Sequence, residues 1–189
     1  MRAEDLRVRT ELAETGELFD GYNATMEAAH LKNAARLEEL LRQANVEWFG
    51  KSQVGEDAAE AAWTIVQHAI SRPNLQRRML PVLKRQAEKG EIPARYAAFL
   101  EDRILFFEGK PQIYGSQFDW NERDELSANE IFEPEKIDER RAAVGLEVPY
   151  SEYIEIHNEA VRRGGEPKPQ DLEKRQREFE AWTRKTGWR

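Results

Sequence analysis

Proline and glycine punctuate this chain in a fixed order, and that order limits it to a series of short helices. Pro73 opens an apolar-periodic segment that ends at Gly90, Pro93 opens another that ends near Gly109, and Pro134 opens a third that closes at Gly145. Proline suits the first helical turn, whose N–H needs no intrahelical partner, and glycine suits the left-handed residue just past the last turn. A chain divided this way reads as packed helices.

The remaining segments extend the pattern. Residues 2–19 are helical in composition but weakly amphipathic, with Leu6, Leu12 and Leu18 as the main apolar contacts and a break at Asp20 and Gly21. Residues 24–44 are clearer: behind an Asn23 cap, Met26, His30, Asn33, Leu37, Leu40 and Leu41 recur at helical spacing. Residues 50–55 read as a loop, entered by Trp48 and Phe49. Residues 57–70 are apolar nearly all round, through Trp63, Ile65, Val66 and Ile70, which predicts burial on most sides. Between residues 111 and 132 the pattern changes, and 118–120 and 130–132 are expected to pair as a hairpin around 121–124. Ser151 is expected to cap a further helix with Tyr153, Ile154, His157 and Val161 on one face, stopped by Gly164 and Gly165. The expected fold is mainly α: a single-domain multi-helix bundle with a small β-hairpin. Residues 1–165 form its core, with the hairpin at about 111–132. Residues 166–189 supply a linker (166–170) and a last helix that turns Leu172, Phe179 and Trp182 onto that core.

Bulk properties narrow the function. A 189-residue chain with 40% hydrophobic residues can bury a real core, and 34% charged residues with a mean hydropathy of -0.82 give it a strongly solvated exterior. The net charge of -7 argues against binding a phosphate backbone, which needs a basic face. The basic doublets, Arg77 with Arg78 and Arg140 with Arg141 among them, read as solvated helix faces. Without cysteine there are no disulfides, thiolate nucleophiles or thiolate metal ligands. No window is long and apolar enough to span a bilayer, and residues 1–10 lack a signal-peptide core, so a cytoplasmic location without nucleic-acid or membrane partners is expected.

Two histidines with their polar neighbours form either a site or a structural network. His30 and Asn33 lie one turn apart on an apolar stripe, and Gln67 and His68 sit on the most apolar helix. If those helices face each other, His30 and His68 approach. Glu101, Asp102 and Arg103 interrupt an aromatic helix, and three consecutive positions cover more than half its circumference, so one of them should reach the interior. Gln112, Tyr114 and Gln117 belong to a stretch rich in amides and hydroxyls around Gly115, which lets the chain turn sharply or approach a ligand closely.

The stretches that carry these residues resemble a family of uncharacterised bacterial proteins, the domain-of-unknown-function family 6624. The matching motifs are His30-Leu31-Lys32-Asn33, the run from Trp63 to His68 with Gln76-Arg77, Asp102-Arg103-Ile104, the run from Gly109 to Trp120, and Arg140-Arg141 with Gly145-Leu146. The resemblance runs from about Tyr22 to Leu146, and Gly187-Trp188-Arg189 looks like the family's usual ending. Ser116 stands where the family usually has threonine, and the family's common hairpin glycine is missing near Asp124. The resemblance implies a helical fold with a shared polar cluster, and brings no reaction, cofactor or partner.

Two functional expectations follow. In the first, the chain is an enzyme or small-molecule binder with a polar pocket, acting on a polar or anionic substrate. His68, His30 and Asp102 are the catalytic set, His68 being acid or base and Asp102 orienting it. Asn33, Gln67, Arg103, Gln112, Tyr114 and Gln117 bind the substrate. No cofactor is required; a divalent metal on His30, His68 and Asp102 is the lesser alternative. In the second, the chain is a non-catalytic interaction or accessory protein, of immunity type for example. The same polar residues then form a structural network, with Trp48, Trp120 and Trp182 as contact surface for a protein partner or a second copy.

Overall fold

The computed structural model describes residues 1–15, 22–123, 125–163, 169 and 171–189. They fall into two compact units, Met1–Leu100 and Glu101–Arg189. The division runs through a helix, well before the expected break near residue 165. The linker expected over 166–170 lies outside the described residues apart from Pro169, as do Leu18 and the helix breaks expected at 20–21 and 164–165. Among the described residues the structure is mainly α, with nine α-helices and one two-stranded sheet.

The first unit contains α1 (Arg2–Thr15), α2 (Ala24–Ala44), α3 (Lys51–Val54), α4 (Glu56–His68), α5 (Pro73–Glu88) and the first part of α6 (Ala94–Glu108). The local signals act as expected at α2: the Asn23 side chain accepts from the Thr25 amide, and Asn45 closes the helix in the left-handed region at φ 53°. Pro73 occupies the first turn of α5. The expected loop at 50–55 carries the one-turn α3, because Gly55, at φ 82°, ends one helix and starts the next. Helices α1, α2 and α4 pack on one another, and α4 packs on α5. Leu37, Leu41, Trp48, Val66, Leu75, Leu83 and Leu100 form the buried centre, each such side chain stabilising the fold by about 1.5–3 kcal/mol. A separate cluster of Val8, Leu12, Met26 and Ala29, with Tyr22 against it, seats α1.

The second unit continues α6 and adds β1 (Asp119–Trp120), β2 (Leu126–Ser127), α7 (Ile137–Ala143), α8 (Tyr150–Arg162) and α9 (Leu172–Thr186). β1 pairs antiparallel with β2, Asp119 opposite Ser127 and Trp120 opposite Leu126. The expected partner, 130–132, instead meets residue 112 in a parallel bridge between Gln112 and Ile131. Asn121 explains the change: its side-chain oxygen accepts from the Arg123 and Glu125 amides, so the chain turns back early. Asn158 of α8 then ties down β2, its carboxamide bonding the Leu126 N–H and C=O. α8 begins at Tyr150 behind Pro149 and has no side-chain cap from Ser151. The rings of Phe106, Phe107, Phe179, Trp182 and Trp188 stack into one aromatic cluster.

Candidate functional site

In the first unit, side chains from three helices converge on one carboxylate. α1 supplies Asp5, α2 supplies His30 and the last residue of α4 is His68. His30 Nε2 lies 2.6 Å from Asp5 Oδ1, and His68 Nδ1 lies 2.8 Å from Asp5 Oδ2. The two imidazole centroids are 5.2 Å apart, and the Tyr22 hydroxyl is 2.7 Å from His30 Nδ1. The polar path therefore runs Tyr22, His30, Asp5, His68. Its depth is uneven: the side chains of Asp5 and His30 are 6% and 10% exposed, and that of His68 is 30% exposed, so solvent reaches the cluster at His68.

Each helix has a reason to hold its residue there. Asp5, Val8 and Leu12 follow one another at three- and four-residue spacing, so the carboxylate shares the buried side of α1. His30 follows Met26 and precedes Asn33 and Leu37 on the buried face of α2, and the Asn33 amide donates to the Met1 carbonyl at 3.3 Å. At the end of α4, Gln76 donates to the Val66 and Gln67 carbonyls at 2.8 and 3.1 Å, satisfying groups that the helix terminus leaves without intrahelical partners. That anchor fixes the turn from which His68 projects. Gln67 donates to the Phe99 carbonyl at 3.4 Å.

The electrostatics follow from this geometry. Burial by itself pushes the Asp5 carboxyl up, but hydrogen bonds from His30 and His68 and the charges of those rings outweigh it and hold the group well below the usual carboxylate range. An ionised carboxylate only accepts, so His30 Nε2 and His68 Nδ1 carry the hydrogens that face it. In the tautomer that leaves Nδ1 without a hydrogen, His30 accepts there from the Tyr22 hydroxyl. The cluster also has the composition of a cation site: Asp5, His30 and His68 each offer one ligand atom, all within 4.8 Å of one another.

The carboxylate between the imidazoles is thus Asp5. Asp102, expected in that position, has its two oxygens taken by the backbone amides of Ile113, Tyr114 and Ser116 at 2.8–3.3 Å. It lies in the second unit with Arg103, Gln112, Tyr114 and Gln117, and these five brace one segment. Gln112 donates to the Gln117 and Ala128 carbonyls and accepts from the Gln117 amide. Arg103 Nε donates to Gln117 Oε1 at 2.9 Å. The Tyr114 carbonyl accepts from Arg141, whose guanidinium also reaches the Val148 carbonyl and lies 4.5 Å from the Tyr153 ring centroid. Gly115 sits at φ 64°, where an added Cβ would stand 2.6 Å from the Tyr150 ring. Arg141, expected on a solvated face, is 1% exposed.

Each unit also holds a cavity. One of about 370 Å³ in the first unit is lined by Lys51, Glu56, Glu60, Glu91, Arg95 and Tyr96, and one of about 260 Å³ in the second is lined by Gln112, Trp120 and Phe179 among others. Neither takes in His30 or His68, so the polar pocket expected around the histidines corresponds to neither of them.

Asp5 was not among the sequence candidates, and Tyr22 figured there only as the start of a resemblance. Asp5 had a faint signal in its spacing from Val8 and Leu12.

No helix among the described residues is long and apolar enough to cross a membrane. No curated protein and no solved structure matches the chain. It belongs to a family of unknown function, DUF6624, whose sequence profile covers residues 1–163.

Proposed function

We propose that this family member binds a polar or anionic small molecule and moves a proton to or from it at His68. Asp5 orients His68, and His30 with Tyr22 fixes Asp5. One observation carries the reading: a buried carboxylate accepts from two imidazoles, one deep and one at the surface. Tying Nδ1 to a carboxylate selects one ring orientation and one tautomer, which is the arrangement in which an imidazole exchanges a proton efficiently. Asn33, one turn from His30, and Gln67, adjacent to His68, are the candidates for contacts to the bound molecule. Arg103, Gln112, Tyr114 and Gln117 act in the fold of the second unit.

The competing reading is a structural network in a non-catalytic interaction protein. It draws on the pairing of both Asp5 oxygens inside the protein. A thermal-shift screen of polar and anionic metabolites against the wild type and His68→Gln separates the two. The expected result is a variant that melts close to the wild type and loses the ligand-induced shift. A variant that loses stability as heavily as a core deletion, about 2–5 kcal/mol, while keeping the shift overturns the proton-transfer reading.

A further inference from the structure

The geometry points to a first-row divalent transition-metal site in which Asp5, through a carboxylate oxygen, His30, through Nε2, and His68, through Nδ1, are the three protein ligands. The inference deepens the preceding reading and rests on the same cluster being the reactive centre.

The donor set is the first argument. Two neutral imidazoles and one carboxylate suit zinc, ferrous iron and cobalt, and the chain has no thiolate to compete for them. Two of the three histidines in the sequence stand here.

Spacing is the second. Ligand atoms about 2.0–2.2 Å from one ion are separated from each other by a little over 3 Å. The three atoms here already lie within 4.8 Å of one another. His30 Nε2 and His68 Nδ1 meet different oxygens of Asp5, Oδ1 at 2.6 Å and Oδ2 at 2.8 Å, closer than two ligands of one ion stand, so binding would move the carboxylate away from the rings.

The outer contact is the third. A metal-bound imidazole normally directs its second nitrogen to a hydrogen-bond partner that fixes the ring. For His30 that partner is in place: Nε2 faces the cluster and Nδ1 lies 2.7 Å from the Tyr22 hydroxyl. On metal binding the His30 proton resides on Nδ1 and is donated to the Tyr22 oxygen, and the His68 proton resides on Nε2.

Three protein ligands are the number found in open metal sites, where a further position takes water or substrate. With His68 Nδ1 taken up by an ion, a water in that position would give its proton to the bound molecule in place of His68. The partly exposed His68 side is where a substrate would meet it.

Titration of the metal-free full-length chain with Co²⁺ tests this. The expected result is one Co²⁺ per chain with visible d–d bands of a nitrogen- and oxygen-ligated ion. Tyr22→Phe keeps the stoichiometry and weakens binding by about 10–100-fold, and His68→Gln weakens it further. Absence of the bands in the wild type, or equal affinity in wild type and His68→Gln, overturns the site. Should His68→Gln fail to fold, the wild-type spectrum and the Tyr22→Phe affinity decide. The two readings fail separately. Loss of the metabolite shift in His68→Gln without any Co²⁺ bands removes the metal alone. Co²⁺ bands with the metabolite shift intact in His68→Gln remove proton transfer at His68 and leave the site.

Discussion

Asp102 is fully buried, and three backbone amides hold its carboxylate. Burial disfavours the charged form and raises the group above its ordinary value of 3.8, while the amides of Tyr114, Ser116 and Ile113 pull the other way and only partly offset it. A raised carboxyl means that the folded chain holds its proton more tightly than the unfolded chain. The stability this contributes is therefore complete below 3.8 and is lost as pH rises through the raised value. Asp102→Asn removes that dependence and puts an amide NH₂ against N–H donors, at a cost on the order of 2–3 kcal/mol. Denaturant unfolding across the acidic range should show the gap between wild type and variant narrowing as pH rises. A gap that widens with pH contradicts the assignment.

Among the elements, α1 depends most on polar contacts. Its apolar residues make a narrow face, and Leu6 is 52% exposed, so Val8 and Leu12 supply most of its buried contact. Asp5 adds the two bonds that tie α1 to α2 and α4. Asp5→Ala leaves two ring donors without their acceptor, at a cost on the order of 2 kcal/mol or more. In hydrogen exchange the α1 amides should lose protection while those of α5 keep theirs; equal loss in both helices would show that Asp5 acts on the whole unit. The same helix marks where sequence reading stops. Pro73 with Gly90 and Pro93 with Gly109 bracket α5 and α6 because caps act within one turn of chain, and the stripe through His30 was visible because six residues repeat it. Asp5 is one of 36 acidic residues, on a helix with little periodicity, and its partners lie 25 and 63 positions away. Asp102 was recognisable as inward-facing by its apolar flanks, but the amides it holds depend on how residues 113–116 turn, which no spacing records. The hairpin was readable as a change of period, and its partner strand was decided by the Asn121 side chain.

For the whole molecule, charge and division into units set the expectations. Net charge is -7, and many of the arginines are engaged with carboxylates: Arg72 and Arg78 with Glu38, Arg85 with Glu47, Arg175 with Asp119. Gel retardation with duplex DNA or single-stranded RNA at physiological salt should show no shifted band at micromolar protein. A salt-sensitive shift would reveal a basic face. The two units also divide the sequence motifs between them. The histidine motifs lie in the first, and the run from Gly109 to Trp120 lies in the second, where it serves as internal bracing.

The placement of Asp5 has one more consequence. The side chain that would orient the reactive histidine is also a peg for the helix it stands on, so natural selection acts twice at one position. Replacements there would forfeit activity and architecture together, and a tolerance map built from random variants would mark the position as intolerant without revealing which loss came first.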